Sequence, residues 1–189
     1  MAVNAFVELV RQNQRLGMTV AEVGCFNGDT AMKWLPIVKA KCGGAILVDY
    51  FMGNPGVIIG NPHGELSYDP TGVMAVLISR VADYNDVAIL KGDSVKMASR
   101  VPDLSIDICF IDADHRYSHV LPDIYAWKSK VKPGGLLCGH DCESLEYDDR
   151  YLEMDYAAGN HHGVAKAIAE VFKGNVRLIG DSVWVFQMP

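Results

Sequence analysis

The sequence predicts a doubly wound α/β domain: a mostly parallel, seven-stranded sheet with helices on both faces, closed by a C-terminal antiparallel hairpin. Three observations point to it. Short apolar runs alternate with segments of helical periodicity from residue 19 to residue 138, the pattern of a parallel sheet covered on both sides. The first two runs, around Val23 and Ile46, are separated by a helix-length segment, which suits a parallel crossover. The last two runs, 175–179 and 183–187, are joined only by Gly180-Asp181-Ser182, which permits only an antiparallel return.

Each element has its own signal. Phe6, Leu9, Val10 and Leu16 are spaced as one face of an opening helix. Thr19-Val20-Ala21-Glu22-Val23 is a β-branched run that stops at Gly24. Residues 30–41 carry Ala31, Trp34, Leu35 and Val38 at helical spacing, a basic last turn and the stop Gly43-Gly44. Ala45-Ile46-Leu47-Val48 reads as a buried strand ending in Asp49. Residues 51–71 are rich in Gly, Pro and Asn around Val57-Ile58-Ile59, and loops this long are commonly functional covers or disordered. Regular structure resumes at Gly72, with a helix over 73–81, a strand over 86–90, a short helix over 95–100 and a strongly apolar strand over 106–111. A helix over 118–130, the turn Lys132-Pro133-Gly134-Gly135, a strand over 136–138 and a helix over 163–172 lead to the closing hairpin.

The chain has 189 residues, half of them apolar and 21% charged, which predicts one packed domain over 1–189. No apolar run approaches the roughly 18 residues of a membrane span, and residues 1–14 lack the basic-then-apolar order of a signal peptide. A cytoplasmic protein with no membrane partner is expected. Five cysteines form no CxxC pair, which argues against a disulfide framework. The net charge of −6 argues against nucleic acid as a partner. All of that imbalance sits in residues 141–155, where seven acids face only Arg150. That run can hold a cation, attract a cationic acceptor or be a solvated loop.

The loop Glu22-Val23-Gly24-Cys25-Phe26-Asn27-Gly28 leaves a strand and opens a helix, and its glycines let backbone N–H groups approach a ligand. Its spacing is neither GxGxxG nor GxxxxGK[ST]. Asp49 ends the next strand, where this class of sheet places a carboxylate for the ribose hydroxyls of an adenosine; an Asp there is otherwise a turn former.

These residues, followed by Gly92-Asp93-Ser94, Ile111-Asp112-Ala113-Asp114-His115 and Lys132-Pro133-Gly134-Gly135, resemble a class I S-adenosylmethionine-dependent methyltransferase. Asp112-Ala113-Asp114-His115-x-Tyr117, Lys-Pro-Gly-Gly, Gly139-His140-Asp141 and the closing Gly180-Asp181-Ser182-Val183-Trp184-Val185 are similar to methyltransferase domain family 24, relatives of macrolide-sugar and catechol-type O-methyltransferases. The resemblance spans about residues 18–187 and implies a Rossmann-like fold. It implies that Glu22, Gly24 and Gly28 face the methionine part of the cofactor, that Asp49 holds the ribose, and that Asp93 and Ser94 contact adenine. Asp93-Ser94 is equally placed to cap the helix that follows.

By the same resemblance, Asp112 after the fourth strand and His140-Asp141 after the fifth stand where catechol-type enzymes hold a divalent cation. His140 departs from the family's acid there. Mg or Mn is the candidate cation; histidine suits Mn²⁺, Fe²⁺ or Zn²⁺ better than Mg²⁺, so the departure leaves open which metal binds and whether one binds at all. His115, three residues past Asp112, occupies the family's base position, and an imidazole can accept a hydroxyl proton near neutral pH. Alternatively Asp112, Asp114 and His115 satisfy one another and the loop backbone. The pair His161-His162 beside the acidic run keeps a further metal role open.

The resemblance thus implies methyl transfer from S-adenosylmethionine to a small-molecule acceptor, oxygen being the favoured acceptor atom. Residues 51–71 and 143–160 are the candidate lid loops, and a homodimer stays open. A cofactor-binding or assembly protein of the same fold without transferase activity is the rival reading. An NAD-dependent oxidoreductase lacks its glycine spacing.

Overall fold

A computed structural model describes residues 2–51, 60–61, 64–65, 70–180 and 182–189. Its elements run α1 (Ala2–Gln12), β1 (Thr19–Val23), α2 (Ala31–Lys39), β2 (Gly44–Asp49), β3 (Gly60–Asn61), β4 (Gly64–Glu65), α3 (Pro70–Val81), β5 (Val87–Lys91), α4 (Ser94–Ala98), β6 (Ile106–Ile111), α5 (Tyr117–Lys128), β7 (Val131–Gly139), α6 (His162–Phe172), β8 (Arg177–Ile179) and β9 (Val183–Gln187). Seven strands form one sheet in the order β5-β2-β1-β6-β7-β9-β8, with β9 antiparallel to both β7 and β8 and every other pair parallel. This is the Rossmann-like sheet with its antiparallel closure that the sequence predicts. Most of the proposed 51–71 cover lies outside the described residues; β3 and β4 form a two-residue antiparallel ladder within it.

Apolar residues alternate along the sheet and feed two cores. On one face Val20, Leu47, Ile108 and Phe110 pack with Phe6, Val10, Trp34 and Leu35 of α1 and α2. On the other, Val23, Val48, Cys109 and Ile111 pack with Ile124 and Trp127 of α5 and Ile168 and Phe172 of α6. The five cysteines are free thiols. No helix among the described residues is long and apolar enough to cross a membrane.

Two local expectations are corrected. Leu16 is not on the face of the opening helix: α1 ends at Gln12 and Leu16 is 82% exposed. The Asn13 side chain donates to the Leu9 carbonyl (2.8 Å), and Gly17, at φ +68°, turns the chain back so that its N–H reaches the Lys41 carbonyl (2.8 Å). Lys132-Pro133-Gly134-Gly135 is not a turn ahead of a strand but a bulge inside β7. Its backbone is claimed by the C-terminus, through Gly134 N–H to the Met188 carbonyl (3.1 Å) and Met188 N–H to the Gly135 carbonyl (2.9 Å).

Beneath that bulge Asp107, on β6, is buried and accepts from Thr19 N–H (2.6 Å), Lys132 Nζ (2.9 Å) and the Arg15 guanidinium (Nε, 2.9 Å). Burial alone would raise its carboxyl, but the Thr19 N–H and the two cations outweigh this and hold it below the usual carboxylate range. The resulting stabilisation is complete above the unfolded-state value, about pH 4, and is lost as pH falls through the lower folded-state value. Asp107→Asn is expected to cost about 1–3 kcal/mol at pH 7, with the gap from the parent narrowing below about pH 4. Urea denaturation across that range tests this; a gap independent of pH would mean that the carboxylate's charge contributes nothing.

Candidate active site

The strand registers set one row of residues along the carboxyl edge of the sheet. Val23 pairs with Val48 on one side and Ile111 on the other, and Ile111 pairs with Gly139. Asp49, Gly24, Asp112 and His140 therefore each lie one residue past the same row. The chain order reverses between β1 and β6, and this switch point is where open α/β sheets bind ligands.

The glycine loop is built by close backbone approach. Gly24 has φ +92°, and a Cβ there would lie 2.0 Å from the Asp112 carbonyl oxygen. Gly24 and Cys25 N–H groups both donate to the Val48 carbonyl, at 2.8 and 3.1 Å. Gly28 has φ +87°, and a Cβ there would meet Leu77 Cδ1 at 2.6 Å. The Asp49 carboxylate spans the two loops beside it, Oδ2 accepting from Phe26 N–H (2.8 Å) and Oδ1 from Phe51 N–H (2.6 Å). Each of these oxygens keeps acceptor capacity beyond that one bond.

Three further residues of the sequence reading have partners within the chain. Glu22 is buried with the α2 core and accepts from the Trp34 indole N–H (2.7 Å). Burial pushes its carboxyl up to about 8, against the indole hydrogen bond, so it is mostly neutral at pH 7. Asp93 takes the capping role, accepting from Lys96 N–H (3.0 Å) at the start of α4. Ser94 turns inward and donates to Asp123 on α5, whose carboxyl burial raises to about 7.

The titratable groups gather around one carboxylate. Asp141, at φ +58° just past β7, places Oδ1 2.8 Å from His140 Nδ1 and Oδ2 2.9 Å from His115 Nε2. His140 Nδ1 also lies 3.8 Å from Asp112 Oδ1, and the potential ligand atoms of Asp112, His140 and Asp141 all fall within 4.8 Å of one another. Burial opposes ionisation of Asp141, yet its two histidine partners hold its carboxyl well below the usual range. Burial raises Asp112 above that range, with His140 pulling against it. The other ring nitrogen of His115, Nδ1, meets Asp155 Oδ1 at 2.7 Å. Burial would lower this imidazole, but Asp141 and then Asp155 raise it to about 9. Asp114, by contrast, is turned away into a fork with Arg116 (Nη2 to Oδ2, 2.5 Å).

The acidic run divides into ties and site groups. Asp148 N–H donates to His162 Nδ1 (3.0 Å) and His162 Nε2 meets the Ala157 carbonyl (3.0 Å), so this histidine is a structural strut. Asn160 holds the Ser144 and Glu146 backbones, Glu153 accepts from Ser118, and Asp149 pairs with Lys166. Residues 143–160 are thereby fastened along α5 and α6. Glu143 and Asp155 turn inward instead, to His161 (Oε1 to Nδ1, 3.0 Å) and His115. The sequence reading did not single out Glu143 or Asp155 as site groups, and it took His161 and His162 as a pair. The usable signal was histidine beside an acid-rich loop, but it could not tell the inward residue from the strut.

A model of the methyltransferase domain family matches residues 21–142. No curated protein matches the sequence. Among solved structures, one from Staphylococcus aureus described as a caffeoyl-CoA O-methyltransferase superposes with a TM-score of 0.66 at 17% identity, covering 100% of this chain and 83% of that one. The O-methyltransferase NovP gives 0.62 at 17% identity, covering 99% and 78%. The SAH-bound methyltransferase PaMTH1 of Podospora anserina gives 0.63 at 11% identity, covering 100% and 78%. Likeness at these identities speaks for the fold, while the family match runs from within β1 through the glycine loop, Asp49, Asp112 and His115 to His140 and Asp141. The chain therefore belongs to the methyltransferase domain family.

Proposed function

We propose that this chain transfers the methyl group of S-adenosylmethionine to a hydroxyl of a small-molecule acceptor, with a divalent cation held by Asp112, His140 and Asp141 and with His115 as the proton acceptor. The observation that carries this reading is the level row of Asp49, Gly24, Asp112 and His140 at the switch point. It sets a cofactor loop directly against a cation-type donor set.

The residues present fit both groups. Two glycines at positive φ leave the loop backbone free to line the methionine part, and the Asp49 oxygens retain acceptor capacity for ribose hydroxyls. Asp93 follows β5, the neighbour of β2 in the sheet, where it would face the adenine, and Asp112 would link the halves, its carbonyl against Gly24 and its carboxylate in the cation set. Two carboxylates with one imidazole suit Mn²⁺ better than Mg²⁺. The sulfonium cofactor supplies the methyl group, and a divalent cation lowers the acceptor hydroxyl's pKa. Asp155 fixes the His115 ring by holding Nδ1, so Nε2 is the nitrogen turned to the site. Nε2 becomes a proton acceptor once Asp141 no longer holds it as the imidazolium. His115 and His140 flank a small crevice beside this row.

Three outcomes are expected. Calorimetry should find one S-adenosylhomocysteine site, weakened by Asp49→Ala by about 1.5–3 kcal/mol; binding of NADH in its place would overturn the cofactor. Chelation should abolish S-adenosylhomocysteine release across a panel of catechol, phenol and sugar acceptors, with Mn²⁺ restoring it; full activity after chelation would remove the cation from the reaction. His115→Ala should lower kcat by about a hundredfold to ten-thousandfold while cofactor affinity changes little. Tight cofactor binding without turnover on any acceptor would favour the binding-protein reading.

A further inference from the structure

We propose that His115, Asp141 and His161 form a second cation site, joined to the Asp112–His140–Asp141 set through the shared Asp141 carboxylate and suited by its two imidazoles to Zn²⁺ or a similar nitrogen-preferring ion. The three come from separate segments: the loop after β6, the end of β7 and the residue before α6. Their potential ligand atoms lie within 4.8 Å of one another, with His115 Nε2 2.9 Å from Asp141 Oδ2 and His161 Nδ1 3.9 Å from Asp141 Oδ1. Ligand atoms around a first-row ion, at about 2.0–2.1 Å from the metal, stand roughly 3–3.5 Å apart. Closing the triad onto an ion therefore takes shifts of about an ångström or less.

The surroundings hold the imidazoles for this. Asp155 on His115 Nδ1 (2.7 Å) is the carboxylate–histidine arrangement that orients a metal-binding ring from behind. Glu143, with both oxygens 3.0 Å from His161 Nδ1, anchors that ring, and its Oε2 also receives the His161 N–H (3.2 Å). The two rings meet edge to face, with centroids 4.6 Å apart, and the Tyr156 ring lies tilted against His161 at 4.9 Å. The approach itself is built in at Gly163: a Cβ there would lie 2.4 Å from both the His115 carbonyl oxygen and the Tyr117 nitrogen, so only glycine lets α6 carry His161 onto His115. The His115, Asp141 and His161 side chains are 22%, 16% and 12% exposed, enclosed but reachable.

The donor set differs in kind from its neighbour. Two nitrogens and a carboxylate select Zn²⁺, Co²⁺ or Fe²⁺, whereas the Asp112 set is rich in oxygen. An ion here would also take the Nε2 lone pair that proton acceptance requires, so it would oppose the reaction proposed above; that consequence rests on that reaction, while the site does not.

Zinc titration of the chelator-stripped protein against a chromophoric competitor tests the site without any measurement of methyl transfer. His161→Gln is expected to weaken Zn²⁺ binding by about tenfold or more, while Asp112→Asn changes it by less than about threefold. Zinc-soaked crystals should carry an anomalous peak within about 2.0–2.2 Å of His115 Nε2 and His161 Nδ1. Zinc bound equally by His161→Gln and the parent, lost equally in Asp112→Asn, or not bound by the parent at micromolar concentration would each overturn the proposal.

Discussion

The site depends on how closely the chain can pass itself where strand order reverses. β1 and β6 are neighbours in the sheet, and the loops leaving them must cross without a gap. Gly24 makes this possible, because the space a Cβ would occupy is filled by the Asp112 carbonyl. The contact levels the ends of β1, β2, β6 and β7, and so sets the loop, Asp49, Asp112 and His140 side by side. Gly139 repeats the device one strand over, where a Cβ would meet the Ile111 carbonyl at 2.4 Å and the Trp184 ring at 2.7 Å. Alanine at either place would force the row apart.

Charge is then distributed by environment. Glu22 is buried with a single indole donor and stays largely neutral, a quiet support under the glycine loop. Asp107 is as well buried but is met by a backbone N–H and two cations, and it stays ionised. Asp141 is held ionised by histidines alone. Histidine partners can be exchanged for a metal ion or can give up a proton near neutral pH. The proposed reactive part of the molecule is thus the place where carboxylates depend on imidazoles.

The segment after β7 shows how an acidic run becomes specific. Its charge is not spread over a free surface, because Asn160, His162, Ser118 and Lys166 fasten the backbone or its acids along α5 and α6. Once fastened, Glu143 and Asp155 meet the His161 and His115 rings. The ring of His115 is oriented from 40 residues away in the chain.

The sequence by itself determined the alternation of strands and helices, the antiparallel closure and the identity of the glycine loop with Asp49, Asp112, His140 and Asp141. Periodicity, turn length and motif spacing are local, and a strand's end locates the residue just past it without knowledge of its neighbours. The same locality explains the two corrections: spacing carried Leu16 onto a helix that stops at Gln12, and glycine and proline at Lys132-Pro133-Gly134-Gly135 read as a turn although the distant Met188 backbone draws them into the strand. Only the tertiary structure decided the side-chain partners. Arg15 with Asp107, His115 with Asp155 and His161 with Asp141 join segments far apart in the chain. Hydrogen bonds and ion pairs require proximity, and proximity across such separations is a product of sheet order and helix docking that no single segment encodes.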